Sequence, residues 1–134
     1  MTHYRIQTVA DRLAVSDDSV RRWIAAGRLS ASEDEQGRLV VDGAELARFA
    51  REQASGDASD LPRSHSSARN RMPGIVTNVR VDAVMAQVEI QAGPHRIVSL
   101  ISADAVKELG LEPGVLVTAS VKATNVVVER SDEP

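Results

Sequence analysis

Apolar residues in the first 53 positions recur at helical spacing. Val20, Trp23 and Ile24 lie at i, i+3 and i+4, which is the buried stripe of an amphipathic helix. Ser16 precedes this stripe as an N-cap residue, and Gly27 follows it where a left-handed residue ends a helix. We therefore predict a helix between Ser16 and Gly27.

Similar signals on either side of this helix predict a short first helix, a hairpin and a third helix. Thr8, followed by Asp11 three residues later, has the pattern of a capping box at the start of the first helix. Residues 29–41 alternate loosely and turn near Gly37, which favours a β-hairpin. Asp42 then precedes a third helix, whose apolar stripe contains Phe49.

The pattern changes after residues 54–66, a stretch rich in Ser, Asp and Gly that is typical of a flexible linker. Beyond it, strand-like segments dominate. They span residues 75–81, 84–90, 95–101, 115–121 and 126–128. Ser102 is expected to cap a short helix that buries Val106 and Leu109 and ends at Gly110. Five strands with one helix between the third and fourth are typical of an OB-like barrel.

The sequence thus predicts an α+β multidomain protein. Residues 1–53 form a winged helix-turn-helix domain, residues 54–66 a linker, and residues 67–130 a five-stranded OB-like β-barrel with one short helix. A barrel of about 60 residues has a small core of its own. Val126, Val127 and Val128 would be apolar on both faces of a strand. Both features favour burial against other subunits.

Composition excludes several classes of function. The net charge of −3 is unlike that of a protein that coats nucleic acid, so any DNA contact needs a local basic surface. The chain has no cysteine, and its three histidines are far apart, so we expect no metal-cation site. It shows no catalytic set of residues and is not expected to be an enzyme. It has no apolar run long enough to span a membrane, and its N-terminus lacks the pattern of a signal peptide. A cytoplasmic location is therefore expected.

Arginines on the second helix make it a candidate for docking in the major groove of DNA. The residues expected to contact DNA are Ser16, Ser19, Arg21, Arg22 and Arg28. Arg21 and Arg22 flank the buried stripe, while the two serines at the helix start can reach phosphates or base edges. The alternative is a plain helical module with solvated arginines.

Residues 4–52 resemble the winged helix-turn-helix domains of the excisionase and MerR type. The matching stretches are Thr8–Leu13, Val15–Ser16, Val20–Ile24, Gly27–Leu29 and Gly43–Phe49. The resemblance implies that the second helix enters the major groove and that the hairpin wing touches the DNA backbone. Here the wing contains Glu33, Asp34 and Glu35, where the family wing is usually basic, and carboxylates near phosphate are repulsive.

Two polar segments lie next to strands of the predicted barrel. Residues 67–70 precede its first strand, and residues 122–124 lie between its last two strands. A tetrahedral dianion needs short, fixed donors, which hydroxyls, backbone amides and cations supply. Arg69 offers a planar fork and Lys122 a compact charge. The alternative is that both cations are ordinary surface charges.

Residues 67–129 resemble the molbindin family, also called Mop or TOBE domains. The matching residues are Ser67–Asn70, Gly74, Ile101–Ser102, Leu109–Leu111, Gly114 and Val121–Ala123. The resemblance implies that molybdate or tungstate binds at subunit interfaces, with a basic pair drawn from different chains. It also implies a homo-oligomer, either a dimer or a hexamer built as a trimer of dimers.

Position by position, the resemblance assigns the oxyanion ligands. Ser67, Arg69 and Lys122 would hold the anion with their side chains, and Ala68 and Ala123 with backbone amides. The complete set expected to bind the oxyanion is Ser67, Ala68, Arg69, Asn70, Ser102, Lys122, Ala123 and Thr124. Thr124 would replace a hydroxyl that some relatives have where this chain has Ala105.

Two functions from different classes follow from these domains. The first is a transcriptional regulator that binds DNA and senses molybdate or tungstate. The second is an intracellular molybdate storage or buffering protein without specific DNA binding. A barrel that binds single-stranded nucleic acid is disfavoured, because such domains stack bases on aromatic rings and every aromatic residue here lies within the first 49 positions.

Overall fold

The computed structural model describes residues 2–54 and 66–131. They fall into two compact units: residues 2–54 with Arg130 and Ser131 form the first, and residues 66–129 form the second. Most of the predicted linker, residues 55–65, lies outside the described residues.

Three helices and a small antiparallel sheet make up the first unit. The elements are β1 (His3–Arg5), α1 (Ile6–Leu13), α2 (Asp17–Ala25), β2 (Ser32–Glu33), β3 (Leu39–Asp42) and α3 (Gly43–Ala54). The strand order is β1-β3-β2. The pairing of β2 with β3 confirms the expected hairpin, whereas β1 was not predicted.

The expected start of α1 at Thr8 is wrong. The helix begins at Ile6, and its N-cap is Arg5, whose side chain makes no capping hydrogen bond. Ile6 and Val9 are both buried in the core of the unit. Burial of Ile6 therefore sets the first turn, and Thr8 lies inside the helix.

Sequence signals located α2 correctly. The Ser16 hydroxyl accepts a hydrogen bond from the Ser19 backbone N–H at 3.2 Å. Val20 is fully buried, and Gly27 adopts a φ of +77° just after the helix. The Asp42 side chain likewise accepts a hydrogen bond from the Ala44 N–H at the start of α3, at 3.2 Å.

The helices of this unit pack around aromatic and aliphatic side chains. The rings of Trp23 and Phe49 lie 4.9 Å apart at a tilt of 50°, a favourable aromatic geometry. Phe49 is almost completely buried, together with Val20, Leu29 and Val41. This core holds α2 against α3 and leaves the arginines of α2 on the surface.

A four-stranded antiparallel sheet with one helix forms the second unit. The elements are β4 (Asn70–Val81), β5 (Met85–Ala92), β6 (His95–Ser102), α4 (Ala103–Leu109), β7 (Leu116–Val121) and a short 3-10 turn (Ala123–Asn125). The strand order is β6-β5-β4-β7. Val76, Val88 and Val106 lie in the core between sheet and helix.

Gly74 marks a close approach of β4 to β5. A Cβ atom at this position would lie 2.5 Å from the Gln91 carbonyl oxygen and 2.8 Å from Ile90 Cγ2. No larger residue fits there without a backbone shift. The glycine thus permits this close approach in β4, which pairs with β7 through its first half and with β5 through its second.

The five-stranded barrel is not confirmed. Within the described residues, β6 and β7 are edges of an open sheet, and residues 126–128 belong to no strand. Val127 and Val128 are 83% and 89% exposed. Their apolar sequence is therefore neither paired in a strand nor buried within the described residues. Leu109, expected inside, is 66% exposed, because α4 buries Ala103 and Val106 instead.

Helices able to cross a bilayer are absent from residues 2–54 and 66–131, none being long and apolar enough.

Candidate oxyanion site and nucleic-acid surface

Arg69 and Lys122 flank the same end of the β4–β7 ladder. The last pair of that ladder is Asn70 with Val121, and the Asn70 side-chain amide donates a hydrogen bond to the Val121 carbonyl oxygen at 3.1 Å. Each cation lies one residue beyond this pair. Since partners in an antiparallel ladder have Cα atoms about 5 Å apart, the guanidinium and the ammonium start from neighbouring backbone positions.

Neither cation is neutralised by the part of the chain that the structure describes. Arg69 and Lys122 are both exposed, and neither side chain has an ion pair or a hydrogen bond there. Two unpaired positive charges on adjacent chain segments repel each other. An anion that binds both relieves this repulsion, so the pair is suited to a doubly charged ligand.

The 3-10 turn after β7 places further predicted ligands beside Lys122. Lys122 is its N-cap residue, and the Lys122 carbonyl accepts a hydrogen bond from the Asn125 N–H at 2.9 Å. Ala123 and Thr124, the first two residues of the turn, are exposed. The segment from Lys122 to Thr124 thus forms one compact group at the ladder end.

Ser66 makes a contact that sequence reasoning missed. The Ser66 hydroxyl accepts a hydrogen bond from the Ala68 N–H at 3.1 Å. The Ala68 amide, which was predicted to bind the oxyanion, is therefore already hydrogen-bonded within the chain. Ser67, between them, is exposed. The pair of serines before Ala68 was the available signal, since hydroxyls often accept from the amide two residues later.

Ser102 lies at the opposite end of β4. Val81 pairs with Ala86, and the adjacent Met85 pairs with Ser102. β4 has 12 residues, so Ser102 is separated from the Arg69 end by roughly 35 Å of strand. The Ser102 hydroxyl also caps α4, accepting from the Ala105 N–H at 3.0 Å. One chain therefore places both predicted segments, residues 67–70 and 122–124, at the same end of the β4–β7 ladder and leaves Ser102 apart.

Three of the predicted DNA-binding residues form a hydrogen-bonded chain at the start of α2. The hydroxyls of Ser16 and Ser19 lie 3.1 Å apart, and an Arg22 guanidinium nitrogen donates to the Ser19 hydroxyl at 3.0 Å. Arg22 is exposed. These contacts give its side chain a preferred direction over the first turn of the helix.

Arg21 and Arg28 have different surroundings. Arg21 is exposed, and its side chain makes no hydrogen bond or ion pair within the described residues. The Arg28 guanidinium carbon lies 5.9 Å from the centre of the Phe49 ring, within the range of a cation–π contact. Arg28 thus stabilises the turn after α2 in addition to any role at the surface.

Internal contacts partly offset the negative charge of the wing. Asp34 accepts hydrogen bonds from the backbone N–H groups of Gln36 and Arg38, and its carboxylate pairs with the Arg38 guanidinium at 3.1 Å. The backbone hydrogen bond from Arg38 is the main cause that lowers the pKa of Asp34. Glu33 and Glu35 remain exposed.

Both units match known domain families. Residues 66–128 match the model of the TOBE domain, and residues 4–54 match the model of a helix-turn-helix domain. Molybdenum-pterin-binding protein 2 of Clostridium pasteurianum is 43% identical over 63 residues, which cover 46% of this chain and 93% of that protein. The chain belongs to the TOBE domain family.

Other relatives match the same TOBE domain. A probable molybdenum-pterin-binding protein of Haemophilus influenzae is 43% identical over 63 residues, covering 46% of this chain and 91% of its own length. The solved structure of a molybdate binding protein from Sporomusa ovata is 35% identical, with a TM-score of 0.47 over 48% of this chain and 97% of that chain. Both resemblances noted in the sequence, to TOBE domains and to helix-turn-helix domains, are confirmed.

Proposed function

We propose that this chain is a transcriptional regulator that binds molybdate or tungstate through an oligomeric TOBE domain and binds DNA through its helix-turn-helix domain. The observation that carries the proposal is the pair of unneutralised cations, Arg69 and Lys122, side by side at one end of the β4–β7 ladder. They belong to a domain whose relatives are named for binding molybdenum-pterin or molybdate.

The chemistry around this pair suits a tetrahedral dianion. Arg69 provides two parallel donors and Lys122 a compact charge, while Ser67 and Thr124 add hydroxyls and Asn70 an amide. Such a set replaces the water lost when the dianion is desolvated. Phosphate carries a proton near neutral pH that needs an acceptor, and Arg69 and Lys122 offer none, so the cation pair favours a fully deprotonated dianion.

A second copy of the chain is the partner that the TOBE domain best accommodates. All the large apolar side chains that are exposed in the described residues lie between Ile75 and Val128. Exposed apolar side chains concentrated in one domain favour its association with another chain. A second copy also supplies what one chain keeps apart, because its Ser102 can approach the Arg69 and Lys122 of the first. We therefore place the complete oxyanion site at an interface between copies, in a dimer or a hexamer.

DNA is the proposed partner of the other domain. α2 is capped, short and exposed along its arginine face, as a helix that docks in the major groove must be. Arg21 and Arg22 project from this face, Ser16 and Ser19 stand at its start, and Arg28 follows its end. These five residues form the proposed DNA surface.

Titration of the full chain with molybdate, followed by native mass spectrometry, tests the oxyanion site. Arg69→Ala and Lys122→Ala should each weaken binding by about 10- to 100-fold, the usual effect of losing a hydrogen bond to a charged group. Lys107→Ala removes an exposed cation elsewhere in the same domain and should leave the affinity unchanged. If all three variants bind as the wild type does, the site is assigned to the wrong residues.

Storage of the oxyanion is the alternative function, and the exposed Glu33 and Glu35 of the wing favour it because they oppose phosphate. Selection from a pool of random duplex DNA separates the two functions. A regulator enriches a defined sequence, whereas a storage protein binds molybdate and enriches none.

A further inference from the structure

A polar cleft lies beside α2 in the first unit, and of the residues already assigned to DNA only Arg21 lines it. It has a volume of about 390 Å³ and is bounded by the first turn of α1, the start of α2 and the wing hairpin. Three arginines line it, Arg5, Arg21 and Arg38, against a single carboxylate, Asp17. The lining is therefore electropositive in a domain whose overall charge is not.

The three arginines differ in how far their charge is already used. Arg38 is paired with Asp34 at 3.1 Å and also donates to the Gln36 side chain at 3.2 Å. The side chains of Arg5 and Arg21 make no ion pair or hydrogen bond in the described part of the chain, and both residues are exposed. Arg5 is also released from any capping role, because its side chain does not bond to the start of α1. Two free guanidinium groups thus face one cavity.

We propose that this cleft is a binding site for a backbone phosphate of duplex DNA, with Arg5 and Arg21 as its ligands and Arg38, held by Asp34, as a fixed side wall. The inference rests on the proposed DNA-binding function. A duplex that receives α2 in its major groove and touches the wing must pass over the space between them, which is this cleft. The phosphodiester is the anionic group that DNA presents at such a position, and guanidinium groups bind it with paired hydrogen bonds.

The cleft also resolves the conflict posed by the acidic wing. Glu33 and Glu35 oppose phosphate, but Arg38 holds Asp34 in the turn and faces the cleft from the wing side. Phosphate contact is then supplied from Arg5 at the base of α1, and the wing tip contributes little. A phosphate contact of this kind adds affinity without adding sequence preference.

The test is the salt dependence of DNA binding by the full chain. Affinity is measured at several salt concentrations for a random-sequence duplex and for the tightest duplex selected from a random pool. Each phosphate contact contributes about 0.9 to the slope of log affinity against log salt. Arg5→Ala should make that slope less steep by about 0.9 on both duplexes. It should leave the ratio of their affinities unchanged. Arg5→Lys should restore most of the slope.

Arg51→Ala is the matched control, since Arg51 is an exposed arginine in the last turn of α3 and outside the cleft. If Arg5→Ala keeps the wild-type slope, as Arg51→Ala should, the cleft does not bind phosphate. If the affinity ratio falls with Arg5→Ala, Arg5 reads bases and the inference is likewise overturned. If the wild-type chain binds neither duplex, the proposed function itself fails. Circular dichroism of each variant establishes that the fold is retained.

Discussion

Glu45 shows how a single half-buried carboxylate can organise a domain. Its two oxygens accept from the Arg48 guanidinium at 2.6 Å and from the Ser30 N–H at 2.7 Å. Arg48 also pairs with Glu52 at 2.9 Å and donates to the Arg28 carbonyl at 3.3 Å. These contacts fasten the turn after α2 to the first turns of α3.

The Glu45 contacts predict a pH dependence of stability. The hydrogen bonds from Arg48, and then from Ser30, lower the pKa of Glu45 from 4.5 to about 2. A lowered pKa means that the charged form is favoured by folding, so this contribution is complete above pH 4.5 and is lost as the pH falls towards 2. Glu45→Gln should lower the free energy of unfolding at pH 6 and reduce its decline between pH 4.5 and 2.

Chemical denaturation across this pH range measures both effects. Glu33→Gln is the control, because Glu33 is an exposed carboxylate with no hydrogen bond or ion pair in the described chain. It should follow the wild-type profile. A Glu45→Gln profile parallel to that of the wild type would show that the contacts around Glu45 do not depend on its charge.

At the scale of elements, the sequence predicted correctly those helix ends that are set by residues close in the chain. Ser16 and Gly27 bound α2 because a hydroxyl cap and a left-handed residue act within one turn. β1 escaped prediction because three residues form a strand only through their partners, residues 40–42 of β3. The prediction for residues 126–128 failed in the opposite direction: their sequence favours a strand, but among the described residues no sheet edge pairs with them.

The outer face of β6 carries a prediction about association. Ile97, Ser99 and Ile101 alternate inward on this edge strand, while Val98 and Leu100 point outward and Leu100 is 69% exposed. An edge strand that is apolar on both faces is a site for another chain. Leu100→Glu should therefore lower the mass observed in sedimentation, since a buried charge without a partner opposes association.

A matched variant separates this effect from a change in net charge. Gln53→Glu adds the same charge at an exposed position of α3 and should leave the mass unchanged. Equal masses for the wild type and Leu100→Glu would place the association surface elsewhere. Retention of the wild-type circular dichroism spectrum would show that Leu100 is not needed for the fold of the single chain.

At the scale of the whole molecule, the candidate oxyanion site was only partly within reach of the sequence. Residues 67–70 and 122–124 were grouped by family resemblance, and the register of Asn70 with Val121 gives that grouping a structural basis. The position of Ser102 required the pairing of β5 with β6, which no local signal encodes. The engagement of the Ala68 amide by Ser66 likewise depends on side-chain geometry.

Covalent joining of the two domains predicts that oxyanion and DNA affect each other's binding. If the anion completes an interface between TOBE domains, it favours an assembly in which the helix-turn-helix domains are held together, and DNA that contacts two of them binds more tightly. Coupling of about 1–3 kcal/mol corresponds to a 5- to 150-fold change in DNA affinity.

Because linkage is reciprocal, the same DNA should change molybdate affinity by the same factor. Fluorescence anisotropy of a selected duplex, with and without saturating molybdate, measures the change in DNA affinity. Calorimetry of molybdate binding, with and without the duplex, measures the change in molybdate affinity. At a molybdate concentration that just saturates the wild type, Arg69→Ala should show little response, while its DNA affinity without the anion stays at the wild-type value. Lys107→Ala should preserve the response. Identical DNA affinity with and without molybdate in the wild type, at anion concentrations where binding is complete, would leave two domains that share a chain but not a function.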